Sequence, residues 1–143
     1  MAVIALTHHW IHRLGYAGLI PFAMLTLTIW LWPELDWPGE VLLAYGALIF
    51  CFVGAIHFGF GIADERMTPG GIIWSIMPVA MATPMLLAPP ALGLPLVAAG
   101  LVLAWTLDQT LFETILPPWY RNLRDRLTAG AVMALMIGWL GVM

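Results

Sequence analysis

Apolar positions along the chain gather into five long runs, and polar positions gather into the short gaps between them. On a window of membrane-spanning length the runs fall at about Leu14–Trp32, Val41–Ala63, Gly71–Ala88, Leu92–Phe112 and Leu127–Met143. A helix crossing a bilayer needs about 20 apolar residues. The pattern therefore predicts an all-α integral membrane bundle of five transmembrane helices in a single domain. The first gap, "WPELDWPGE", and the second, "DERMTPGG", combine proline, charge and glycine as turns do. "APPALG" closes the third run, where Pro89–Pro90 forbids a continuous helix. The third run is short, which leaves a re-entrant pair with the fourth as an alternative. Short interfacial helices are expected at residues 2–13 and 117–126, the second opened by Pro118 and carrying Arg121, Arg124 and Asp125 on a wet face.

Composition agrees with the pattern. Hydrophobic residues make up 62% of the chain and charged residues 9%, against roughly 25% charged in soluble domains. Five spans consume most of the 143 residues, so no room remains for a soluble catalytic domain. The net charge of −3 argues against a nucleic-acid partner. A lone cysteine, Cys51, excludes a disulfide framework and reads as a small packing residue. The opening "MAVIALTHHWIHR" lacks the basic n-region and cleavage pattern of a signal peptide, and none is expected.

The arginines give the expected orientation. With five spans, Arg13, Arg66, Arg121, Arg124 and Arg126 fall on one side, and Glu34, Asp36 and Glu40 on the other; a four-span arrangement scatters them. The positive-inside rule then puts the N-terminus inside and the C-terminus outside. Trp30, Trp32 and Trp37 mark the outer boundary, Trp119 and Tyr120 the inner one. Trp119, Tyr120, Arg121 and Arg124 are the candidate contacts to lipid headgroups, with anionic lipids as partners.

Candidate chemistry centres on His57, within "YGALIFCFVGAIHFGFGIAD". Gly46, Phe50, Gly54, His57 and Gly61 share one helical stripe. Ala47, Cys51, Ala55, Gly59 and Ala63 form a second stripe of small residues at four-residue spacing, a pattern that lets another helix approach closely. His57 is thus expected to face the bundle interior, about 9 Å below the inner boundary. A neutral histidine there can donate across to another helix and lock packing, and an ionisable residue at membrane depth also raises the prospect of function. Asp108 lies at similar depth on the fourth span. It either meets His57, or caps an inner loop, or pairs with Arg121 or Arg124, since a buried carboxylate needs a partner.

Other patterns carry less. No serine elbow, zinc-ligand helix or phosphate loop occurs, and no catalytic residue is assigned. His57 is the only histidine within a span, so a haem held by two histidines is not expected, although a methionine can be the second axial ligand. His8 and His12 stand four apart, but two imidazoles make an incomplete metal site. Met77, Met81 and Met85 line one face of the third span and read as apolar filler rather than a Cu(I) ladder. No cofactor or metal is expected.

"LGYAGLIPF", "YGALIFCFVGAIHFG", "WSIMP" and "LPPWYRNLRDRLT" occur in this order along nearly the whole chain. In this the chain resembles the domain of unknown function 3429 family of bacterial membrane proteins, similar to mitochondrial transmembrane protein 69. Phe58 stands where the family's histidine motif has tryptophan. The resemblance implies a small multi-span protein of an energy-transducing membrane and no established reaction. It implies importance for Tyr16, Pro21, Tyr45, Gly54, His57, Gly59, Trp74, Pro78, Trp119, Tyr120, Arg121 and Arg124.

Two functions follow as expectations. The first is a non-catalytic accessory subunit or assembly factor of a larger membrane complex, its host respiratory or photosynthetic by analogy with the family. The second is a small proton-coupled transporter or ligand-binding bundle that uses His57 and Asp108. A haem- or quinone-binding redox protein is a weaker third.

Overall fold

The computed structural model describes residues 2–143 as six helices: α1 (Ala2–Ala17), α2 (Ile20–Leu31), α3 (Trp37–Ala63), α4 (Pro69–Leu87), α5 (Pro90–Gln109) and α6 (Pro118–Val142). The described residues contain no strand. Five helical runs are long and apolar enough to cross a membrane, with α1 and α2 together forming the first, Val3–Leu31. Each of α2 to α6 carries a proline in its first turn, where the missing N–H is one that a helix leaves unpaired anyway.

Pro21 sets the one internal break in the first run. It has no N–H to give Ala17, and the chain turns at Gly18 and Leu19. The Gly18 carbonyl at this break accepts the Tyr45 hydroxyl of α3 at 2.8 Å, so a family residue with no evident chemistry closes an exposed backbone group inside the bundle.

Helix α3 is the hub, packed on α2, α4, α5 and α6, while α1 packs against α6. Its Gly46, Phe50, Gly54 and His57 are buried and Gly61 is half-buried, as the inward stripe predicts. Phe22, Leu42, Phe50, Leu94, Val97, Leu101 and Leu135 build the core around it. A Cβ on Gly54 would lie 2.5 Å from the Ser75 carbonyl oxygen and 2.9 Å from Pro78 Cγ. The α3–α4 crossing therefore needs glycine at that position.

The second stripe differs from expectation. Ala47 is buried, but Ala55, Gly59 and Ala63 are exposed, and no atom lies within 4 Å of a Cβ placed on Gly59. The reason is angular. Each four-residue step overshoots a full turn by about 40° at 3.6 residues per turn, so Gly59 lies about 120° round the helix from Ala47. The stripe leaves the core as it climbs.

Two boundaries also differ. The 117–126 segment is the start of α6, which runs unbroken through Leu127 because nothing there interrupts its ladder. Residues 2–13 likewise continue to Ala17 within α1. Helices α4 and α5, of 19 and 20 residues, each reach about 30 Å, enough to cross rather than re-enter. With alternating spans, all five arginines lie at one end of the bundle, and Glu34, Asp36 and Glu40 lie at the other.

Candidate functional site

Near the arginine-bearing end, three helices converge on one carboxylate. Asp108 sits one residue before the end of α5 and is 0% exposed, His57 of α3 is 1% exposed, and Arg124 of α6 is 6% exposed. His57 Nε2 stands 2.5 Å from Asp108 Oδ1, and Arg124 Nε donates to Asp108 Oδ2 at 2.9 Å. Two of the three arrangements that the sequence left open for Asp108, the contact with His57 and the pairing with Arg124, are therefore realised together. A carboxylate only accepts, so Nε2 carries the imidazole proton and, in the neutral ring, Nδ1 is an acceptor. Among the described residues, His57 Nδ1 and Arg124 Nη2 have no partner. With a neutral ring the triad sums to zero charge. Removing either partner from a buried ion pair is costly, because the remaining charge stays desolvated.

Local structure explains the convergence. After Gln109 the chain makes a compact turn, with Phe112 N–H on the Leu107 carbonyl at 3.0 Å and Leu116 N–H on the Phe112 carbonyl at 2.9 Å. This turn lays the Phe112 ring flat on His57, with centroids 4.1 Å apart and planes 5° from parallel. Phe112, Ile115, Leu116 and Tyr120 then form a second apolar cluster that Trp74 packs against. No triad residue lines the cleft between α1 and the start of α6, or the cleft around Asp36, Glu40, Pro89 and Pro90 at the opposite end. Chemically, the triad ties α3, α5 and α6 together and holds one exchangeable proton between His57 and Asp108.

Two of the four residues expected at headgroups are corrected. Arg124 and Tyr120 are buried, not surface contacts. Because α6 is continuous, Tyr120, Leu123, Arg124, Thr128, Ala131 and Leu135 form one inward face at helical spacing. Arg121 is half-buried, 3.8 Å from Glu113. Trp119 is half-buried with its ring 4.2 Å from that of His8 and 6.0 Å from that of His12. Gly59, expected as a packing glycine, opens to the outside instead. Tyr45 and Gly54 serve the helix contacts described above, and Trp74 is half-buried between the two apolar clusters.

Several links were not anticipated. Asp125 accepts Trp105 Nε1 at 2.6 Å and Gln109 Nε2 at 3.0 Å, a second tie between α5 and α6. Trp30 donates to the Ile137 carbonyl at 3.0 Å and Thr26 to the Ala134 carbonyl at 2.9 Å. The Phe112 stack carries no sequence signal, since a turn places it. The burial of Arg124 does carry one, the inward face of an uninterrupted α6. In the α3–α4 connection, hydrogen bonds from the Arg66 side chain and backbone hold the Asp64 carboxyl down at about 2.

Comparison with known proteins agrees with the resemblance. Residues 7–140 match the family described as "Protein of unknown function (DUF3429)". The chain is 34% identical over 134 residues to "Transmembrane protein 69" of Xenopus tropicalis, an alignment covering 86% of this chain and 51% of that protein. It thus spans about half the length of this curated relative. No solved structure matches. On the extent of the family match, the chain belongs to the DUF3429 family of transmembrane protein 69-like membrane proteins.

Proposed function

We propose that the protein is a non-catalytic accessory subunit or assembly factor that packs, within the membrane plane, against a larger energy-transducing complex. The observation that carries this reading is the outward face of α3. Ala55, Gly59 and Ala63 are exposed there, and the space over Gly59 is open. Lipid is served as well by large apolar side chains, whereas small residues on an outer face admit a second helix backbone. The connections between spans are short, the longest at residues 110–117, so recognition has to occur between helices. The same reading puts the protein in the inner or energy-transducing membrane, as the family resemblance implies, and its N-terminus inside, on the strength of the arginine asymmetry.

Solubilisation in a mild detergent followed by native electrophoresis and mass spectrometry tests the role. Co-migration with subunits of a respiratory or photosynthetic complex is expected, and migration as an isolated chain contradicts it. For orientation, cysteines at Glu40 and Arg66 in a Cys51→Ser background are expected to label from opposite sides. Labelling of both from one side contradicts the topology.

The His57–Asp108 contact favours a second reading, a small proton-coupled transporter or ligand-binding bundle. Arg124 holds the second carboxylate oxygen, which makes the triad a closed clamp and places this reading behind the first. Proton-coupled solute flux into liposomes holding the purified protein, abolished by Asp108→Asn, would reverse that order.

A further inference from the structure

We propose that the cleft between α1 and the start of α6 binds the phosphate group of an anionic phospholipid. The cleft has a volume of about 240 Å³ and is lined by His12, Tyr16, Trp119, Asn122, Leu123 and Arg126. At about 30 Å³ per water in the liquid, it has room for a phosphodiester and its nearest substituents. This inference is independent of the accessory-subunit reading.

The arginine assignments single out this place. Arg66 is paired with Asp64, Arg124 with Asp108, and Arg121 lies 3.8 Å from Glu113. Among the described residues Arg13 and Arg126 have no carboxylate partner; of these two Arg126 lines the cleft, with its hydrogen bond to the Tyr16 hydroxyl at 3.4 Å. The neighbouring carboxylate in sequence, Asp125, is turned to Trp105 and Gln109 on α5. An exposed guanidinium thus faces a concave wall with the Asn122 amide, the Tyr16 hydroxyl and the His12 ring, over a Leu123 floor. Guanidinium N–H groups and neutral donors suit phosphate oxygens, which only accept. Trp119 is steadied in the wall by His8 and by the edge-on Tyr120 ring at 5.8 Å.

Depth selects lipid over a soluble phosphate. Helix α6 has 25 residues, about 37 Å at 1.5 Å per residue, against a hydrocarbon core of about 30 Å. The surplus of about 7 Å carries the first turn of α6 out to the headgroup layer, and the long Arg126 side chain, before the apolar stretch from Leu127, reaches up toward it.

The test is native mass spectrometry of the full chain, reconstituted in equal phosphatidylglycerol and phosphatidylcholine and released in mild detergent. Wild type is expected to retain phosphatidylglycerol over phosphatidylcholine. Arg126→Gln is expected to lower that retention about five-fold, the effect of one basic charge near an anionic surface. Asn122→Ala should lower it less, and Arg66→Gln should leave it unchanged. Arg126 is exposed, so its variant should keep the wild-type circular dichroism and melting curve. Millimolar inorganic phosphate should not displace the lipid. Equal retention by wild type and Arg126→Gln, equal loss in Arg66→Gln, no preference between the two lipids, or displacement by phosphate would each overturn the proposal.

Discussion

Replacing Arg124 with methionine is expected to destabilise the bundle by about 3 kcal/mol, the lower end of the range for removing one partner of a buried ion pair. Methionine retains much of the aliphatic volume, so packing changes little and the loss is electrostatic. Asp108, 0% exposed, loses the 2.9 Å bond to Oδ2 and keeps only its contact with His57; that surviving contact is why the lower end applies. The double variant Asp108→Leu, Arg124→Met removes both charges and newly unpairs only the His57 Nε2 donor. An interhelical hydrogen bond in a membrane is worth about 1–2 kcal/mol at most, so the double variant is expected to be more stable than Arg124→Met alone. Reversible unfolding in mixed micelles, followed by far-ultraviolet circular dichroism, measures all three proteins, with exposed Arg126→Met as a control expected within about 0.5 kcal/mol of wild type. A cost below about 1 kcal/mol for Arg124→Met, or a double variant no more stable than Arg124→Met alone, would refute the clamp.

Further outcomes follow from the helix contacts and the connections. Gly54→Ala should cost about 1–3 kcal/mol by overpacking, because its Cβ meets the Ser75 carbonyl at 2.5 Å, whereas Gly59→Ala should be tolerated; equal costs in the same unfolding assay would remove the distinction between the two faces. Tyr45→Phe should lose about 0.6 kcal/mol, the mean for interhelical hydrogen bonds, and an unchanged stability would mean that Gly18 finds another donor. His57→Gln, which keeps a donor and an acceptor, should stay nearer to wild-type stability than His57→Leu; the reverse order would show that the hydrogen bond to Asp108 does not hold the helix. Asp64, held at about 2, should stay ionised at pH 3. Because its folded value is depressed, its contribution to stability is fully present above the ordinary aspartate range and is lost progressively as pH falls from there through about 2; carbon NMR showing protonation near pH 4 would contradict the Arg66 pairing.

How much of this was legible in the sequence depended on whether one helix or several decided the outcome. The five spans and the inward face of His57 needed only apolar run length and the 3.6-residue period, and both are local. The departure of Gly59 from the core was also local, but a repeat of four resembles a stripe only over two or three steps before its drift shows. Arg124 and Tyr120 turned inward because α6 begins at Pro118 rather than near Leu127, a boundary that charge alone drew too late. The choice among partners for Asp108 was tertiary. Three helices and the turn at Phe112 had to meet before both His57 and Arg124 could share one carboxylate. The uncommitted charge of Arg126 emerged only after every other arginine in the α6 band had found its partner.

The proposed role requires that the open face of α3 receive another protein's helix. A photo-crosslinking residue placed at Gly59 in the native membrane tests it, with Met133 of α6, 62% exposed, as the comparison position. A covalent adduct from Gly59 to a subunit of an energy-transducing complex, identified by mass spectrometry, is expected, and lipid adducts alone from Met133. Lipid adducts alone from both positions would contradict it.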